Sequence, residues 1–402
     1  MYPMLKPALR RGWRDTRTVR FGVAPAHSVV LGPLDTATGT FLGLVDGTRS
    51  MPQLEAAATS LGLSPGHARS VVVRLGEAGL LDSPKGGGPA ADAVREDTAA
   101  YDRLRPDLAS LSLQHPEPAG SLARMGARRT ARVRVRGAGR VGAAVAALLS
   151  ASGVGRVDVL DGGRVEPWDT LPAGVAADQV GRRRDAAARR LVGHSSPWTT
   201  RGHPRPAAPA GADRTEGCPT TAPEAGSSPA ATSASCGTPA LTVVAPRDGL
   251  AAYAPDPLLL EPLMEAGAPH LFVGVMEGTG LVGPLVVPGR SACSRCWELG
   301  RTDIEPAWPR LLAQWRSGRA VQGVAATDAA LATLVAGLAS VQALAFLDGL
   351  DPPCLGARWE TALPCGDWRL RRVTPHPECG CGVGADSVAA GAAVAAGVGG
   401  AS

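Results

Sequence analysis

The stretch VRVRGAGRVGAAVAALLSASGVGRVDVLDGGRV, residues 133–165, constrains the fold more than any other part of the chain. A short alternating run, a glycine turn, a long aliphatic stretch and a second short run ending in an acid read as strand, loop, helix and strand. Gly137, Gly139 and Gly142 give G-x-G-x-x-G, and Asp161 ends the second strand about 20 residues on. The first glycine makes the tight turn, the second lets a phosphate approach the backbone, and the third brings helix against strand. The helix N-terminus then faces the phosphates, and Asp161 accepts hydrogen bonds from a ribose. A Rossmann-type, nucleotide-binding unit follows. One feature departs from it: Arg132, Arg134 and Arg136 alternate with Val133 and Val135, whereas a central parallel strand is usually apolar on both faces. Either the strand is partly solvated or the arginines point into a charged groove.

At 402 residues the chain exceeds one ordinary domain, so two domains plus linkers are expected, in the α/β class. With four Phe and three Tyr, its core must be aliphatic. The net charge of +5 is modest and spread out, which argues against nucleic acid. Lys6 and Lys85 are the only lysines, a bias towards arginine that bears on the candidate site. The N-terminus lacks the apolar run of a signal peptide, and no stretch reads as a membrane span, so a cytoplasmic protein without membrane contact is expected.

Residues 1–83 read as a winged-helix-like module. TVRFGVAPAHSVVLG gives two short strands joined at APAH, and TATGTFLGLVDG a helix ending at Gly47. Two further helices follow, capped by Ser50, with Pro52 in its first turn, and by Ser64. Residues 84–127, rich in Pro, Gly, Ala and Asp, read as a linker with one helix at AVREDTAAYDRLRPDLASL. Residues 128–384 form the Rossmann-type domain, with a disordered low-complexity insertion at 203–238 and a disordered tail at 385–402. TDAALATLVAGLASVQALAFLDG is a long helix whose aliphatic face is core or interface, core being the safer reading.

Cys293 and Cys296 in SACSRCWELG, with Cys379 and Cys381 in PHPECGCG, form two close pairs that can bring four thiolates to one tetrahedral zinc. Such a knuckle, filled by protein ligands, leaves no position for a catalytic water, so its role is structural. His376 is an alternative ligand. Cys218 and Cys236, inside the insertion, are incidental thiols.

The glycine-turn unit, the segment GVMEGTGLVGPLVVPGRSACSRCWEL and the distal CGC together resemble the ThiF and ubiquitin-activating-enzyme superfamily of adenylating proteins. More narrowly, VGPLVVPGRSACSRCWELGRTDIEPAWPRLLAQW, with LKPALRRGWRDTRTVRFG and LLDS, is similar to the ThiF-like proteins that accompany peptide cyclodehydratases of the YcaO type. Those carry a winged-helix leader-peptide-recognition module ahead of a ThiF-like domain. The resemblance spans about residues 1–83 and 128–384. In active members the glycine loop and the acid hold ATP, an arginine and a lysine after the acid stabilise its phosphates, and an aspartate on a later strand helps with magnesium. By position, Asp161 is the ribose acid, Arg184 stands where lysine is expected and Asp248 is the magnesium candidate. No arginine lies between Pro167 and Gly181, and Arg140 occupies the place of the family's third loop glycine, where it would crowd the phosphate. Arginine is a planar fork and lysine a point charge, so the two seldom exchange cleanly at a phosphate. Attack on the α-phosphate also depends on positioned countercharges. Cys354 and Cys365 read as core thiols rather than thioester nucleophiles.

These residues imply a ThiF-like protein of ribosomal peptide biosynthesis with a degenerate adenylation site. It would bind a precursor leader peptide as an added strand beside TVRFGV and SVVLG and present it to a YcaO-type or other modifying enzyme. Family members commonly pair through their Rossmann domains, which implies a homodimer. The alternative is an active ATP-dependent adenylyltransferase, using Arg184 and Asp248, that activates the C-terminal carboxylate of a peptide or small carrier protein. A winged-helix DNA-binding protein ranks last, since the third helix offers only His67, Arg69 and Arg74.

Overall fold

The computed structural model describes residues 2–198, 238–317, 325–364 and 366–383. The N-terminal unit contains β1 (Met4–Leu5), β2 (Arg11–Asp15), β3 (Thr18–Phe21) and β4 (Val29–Leu31). The last three form an antiparallel sheet in the order β2-β3-β4. Strand β3 alternates, with Val19 and Phe21 buried and Arg20 exposed, and a 3-10 turn at Pro25–His27 returns the chain to β4. Helix α1 (Thr36–Phe41) starts at Asp35, whose carboxylate accepts from the Thr38 amide at 2.7 Å. Helix α2 (Met51–Ser60) starts at Ser50 with Pro52 in its first turn, as expected. Helix α3 (His67–Glu77) begins later than the sequence suggests: Gly66, at φ +81°, is its N-cap and Ser64 lies outside. Leu42, Leu54, Leu75 and Leu80 fill the core, and β5 (Leu81–Asp82) returns to pair with β1.

Residues 84–127 are not a linker. They fold into α4 (Gly88–Glu96), α5 (Thr98–Arg103), α6 (Arg105–Gln114) and α7 (Gly120–Thr130) around Ala91, Val94, Leu104, Leu111 and Met125. The residues that suggested a linker are helix starts. Pro89 and Pro106 sit in first turns, where a missing N–H costs nothing, and Gly87, at φ +99°, is an N-cap. The buried Lys6 ammonium reaches the carbonyl of Ser112 at 2.5 Å, tying the two N-terminal units together.

Helix α7 runs into a seven-stranded sheet of order β12-β11-β10-β9-β8-β6-β7. Strands β6 (Arg132–Arg136), β7 (Arg156–Leu160), β8 (Leu241–Val244) and β9 (His270–Met276) are parallel. Strands β10 (Thr279–Val286), β11 (Ala357–Ala362) and β12 (Arg369–Arg372) extend them antiparallel. One face is covered by α8 (Arg140–Ala151), α9 (Arg184–Ser195) and α14 (Ala329–Leu347), which enclose Val133, Val135, Leu271 and Val273. The other carries α10 (Gly249–Tyr253), α11 (Pro257–Glu265), α12 (Ser294–Ile304) and α13 (Trp308–Ser317). The arginines of β6 all lie on the side away from Val133 and Val135 and are half-buried, so this strand is one-sided. Arg132 pairs with Asp158 at 2.5 Å.

Helix α14 is long and apolar enough to cross a membrane, which the sequence reading did not anticipate. Here it is a core helix, with Leu331, Val335, Ala336, Ala339 and Ala343 buried. Residues 203–237 and 385–402, the predicted insertion and tail, lie outside the described residues together with Cys218, Cys236 and Cys365.

Candidate functional site

The glycine turn opens directly after β6. Gly137 sits at φ +105°, and a Cβ there would lie 2.0 Å from the carbonyl oxygen of Ala245. At Gly142 a Cβ would lie 2.1 Å from the carbonyl oxygen of Gly137. The turn and the helix-to-strand approach thus both require glycine. The second position differs from expectation. The space above Gly139 is filled by the stem of Arg247, whose Cγ would be 2.8 Å from an added Cβ. Arg140 does not crowd the loop; its guanidinium turns away and donates to the carbonyls of Trp168 at 2.6 Å and Thr327 at 2.7 Å.

The acid at the end of β7 is already engaged. Asp161 accepts from the amides of Ala138 at 2.8 Å and Gly163 at 2.9 Å, and from Arg184 Nε at 2.8 Å. Burial alone would raise its pKa, but the Gly163 and Ala138 amides and the Arg184 guanidinium together hold it below the ordinary carboxylate value. Arg184, first residue of α9, therefore spends its charge on the ribose candidate, and it also reaches Asp169 at 3.5 Å. Asp169, nearly buried, takes Arg247 Nε at 3.0 Å from its other side, and Glu166 takes Arg247 Nη2 at 2.5 Å. The result is a closed chain of charge, Asp161–Arg184–Asp169–Arg247–Glu166, laid over the glycine turn. Asp248 serves as the N-cap of α10, accepting from the Leu250 amide at 3.0 Å.

Arg247, Glu166 and Asp169 were missed in the sequence. The only signal was position: Arg247 adjoins Asp248 at the end of a parallel strand, where ligands of α/β sheets gather. As arranged, the cradle at Gly139 is covered by the Arg247 stem and three donors already sit on Asp161, two on Oδ1 and one on Oδ2, so a nucleotide entering here has to displace Arg247.

The cysteines do come together. Cys293 is the N-cap of α12 and Cys296 lies in its first turn, while Cys379 and Cys381 follow β12. Their four sulfurs lie within 4.8 Å of one another, with 3.5 Å between Cys293 and Cys379 and 3.6 Å between Cys296 and Cys381. A tetrahedral ion with Zn–S bonds of about 2.3 Å needs sulfurs about 3.8 Å apart, so the set fits a metal; a disulfide needs about 2.05 Å. The bond from the Cys293 thiol holds Cys296 down to about 4 and drives Cys293 up, and burial raises Cys379 to about 11. His376 is not part of the set, since its ring Nε2 pairs with Asp303 at 2.9 Å. Cys354 is a buried core thiol, pushed up to about 12 by burial, which ill suits a nucleophile.

Of the two strands expected to take the leader, TVRFGV holds β3, which is central with β2 and β4 on its two sides, so no strand can add beside it, whereas SVVLG holds β4 at the edge of the sheet. Among the described residues, β4 has no partner on its outer side, and Val30 is 48% exposed.

Residues 119–219 match the ThiF family. No curated protein sequence matches the chain. The fold is similar to that of E. coli MccB solved with ATP, at 14% identity and a TM-score of 0.63, over 96% of this chain and 100% of that one. It is similar to the microcin C7 biosynthetic enzyme MccB in complex with N-formylated MccA, at 13% identity and 0.61, over 95% and 100%. It is also similar to PaaA, at 16% identity and 0.61, over 92% and 99%. At these identities the likeness establishes a shared fold.

Proposed function

We propose that this chain, built on a ThiF-like unit, captures a ribosomally made precursor peptide and presents it to a separate modifying enzyme of the YcaO or another type. The observation that carries this reading is the edge of β4, unpaired among the described residues, in a fold shared along its length with MccB in complex with N-formylated MccA. A leader segment adding to Val29–Leu31 gains main-chain hydrogen bonds for affinity and apolar side-chain contacts for choice. The winged-helix-like reading of residues 1–83 belongs to this proposal, as do a structural zinc on Cys293, Cys296, Cys379 and Cys381, a homodimer and a cytoplasmic location. DNA binding is disfavoured because His67 hydrogen-bonds Thr38 and Arg69 pairs with Glu55, leaving α3 with little free charge.

A second reading, ATP-dependent adenylation of a C-terminal carboxylate, is favoured by one observation: Gly137 and Gly142 keep the turn geometry that a phosphate loop needs. It would require magnesium near Asp248 and a ribose hydroxyl on Asp161 Oδ2, which carries one donor.

Hydrogen exchange of the full chain, with and without a synthetic leader segment of a candidate precursor peptide, tests the capture reading. Amides of Val29–Leu31 should slow on addition of the leader while those of Arg11–Asp15 stay unchanged. Protection at β2 with none at β4 would move the docking edge, and protection at neither would end the capture reading.

A further inference from the structure

We propose that Arg247 is a gate on the glycine turn, exchanging its carboxylate partners Glu166 and Asp169 for the phosphate chain of an entering nucleotide. The inference rests on the nucleotide half of the reading above and is independent of peptide capture.

Three observations converge on it. The first is position. The Arg247 stem covers Gly139, the one loop glycine whose lack of a side chain is not required by the chain's own backbone, so this methylene occupies the space that the motif reserves for phosphate. The second is the asymmetry of its tether. Asp169 is 4% exposed and fixed further by the Glu166 amide at 2.9 Å and by Arg184. Glu166 and Arg247 are 41% and 32% exposed, so the outer pair is screened and opens at small cost. The third is charge. No arginine lies between Pro167 and Gly181 to stabilise phosphates, and Arg184 is held by Asp161. Arg247, arriving from the end of β8, supplies the second cation from a different strand.

The exchange is chemically even-handed, because a guanidinium fork matches phosphate oxygens as well as it matches a carboxylate. Pro246 and the Asp248 cap fix the backbone on either side, so the side chain alone has to swing. No bond is made or broken. The ligand class is a nucleoside polyphosphate, and the gate explains why a glycine turn of sound geometry fits no nucleotide in its closed arrangement.

The test is Mg·ATP affinity by calorimetry on the metal-loaded full chain, comparing wild type, Glu166→Gln and the double variant Glu166→Gln with Arg247→Ala. Loosening the tether should tighten ATP about fivefold, the most that a screened pair withholds. The gain should disappear in the double variant, where the freed guanidinium is gone. A merely structural ion pair would leave affinity unchanged or weaken it in Glu166→Gln. Either of those results, a gain that survives in the double variant, or no ATP binding in any of the three would overturn the gate. Leader binding measured on the same samples reports separately on peptide capture, and its failure would leave the gate standing.

Discussion

With the proposed zinc loaded on the four-cysteine cluster, removing it should release the segment that follows β12 from α12 and lower the melting temperature strongly. Residues 374–383 have no regular structure, and among the described residues their ties to the rest of the fold besides the cysteine sulfurs include the His376–Asp303 pair, the His376 backbone on Cys296 and the buried Pro375 and Val383. A metal on the four sulfurs would bind this segment to the start of α12, and through it to Phe272, Val286 and Leu260. Structural zinc sites hold their ion with on the order of 10 kcal/mol or more, comparable with the about 5–15 kcal/mol that stabilises a whole domain. Cys296→Ser should therefore lose one zinc per chain by atomic absorption and melt far below wild type. Cys354→Ala, whose thiol belongs to the core beneath α14, should keep its zinc. A chelated protein that melts like the loaded one would remove the structural role.

The parts of this molecule legible in its sequence are those fixed by local sterics. Gly137 and Gly142 could be read because a side chain at either would meet backbone, and the paired cysteines because two close pairs are the spacing that a small tetrahedral ion asks for. What escaped depends on distant partners. Asp161 looked free to bind a ribose, but the arginine that closes on it begins a helix across a loop, and the residue that covers Gly139 arrives from β8. Residues 84–127 misled for another reason. Composition treats proline and glycine as breaks, whereas Pro89 and Pro106 start helices whose stability comes from Leu104, Leu111 and Met125 in a shared core. Likewise the arginines of β6 conflict with a two-sided strand only until one face of the sheet is seen to be half-open.

The deepest charge in that helical unit gives the second large effect. Arg128 on α7 and Asp348 after α14 are both nearly buried and meet in a two-pronged pair, Nε to Oδ1 at 2.8 Å and Nη2 to Oδ2 at 2.5 Å. Arg128 Nη1 also donates to the carbonyl of Ser152, at the end of α8, at 3.2 Å. One guanidinium thus joins the helix entering the sheet to the last turns of the two helices packed on it. Asp348→Ala leaves this cation buried and unpaired, and should cost about 3–5 kcal/mol in denaturant unfolding. Asp348→Asn keeps an acceptor but not the charge and should fall between. The double change Arg128→Met with Asp348→Leu removes the buried charge altogether and should recover most of the loss, because desolvating two ions offsets much of their attraction. If the double variant is as unstable as Asp348→Ala, the penalty comes from lost packing at this junction rather than from a stranded charge. A small loss in Asp348→Ala would mean that water reaches Arg128.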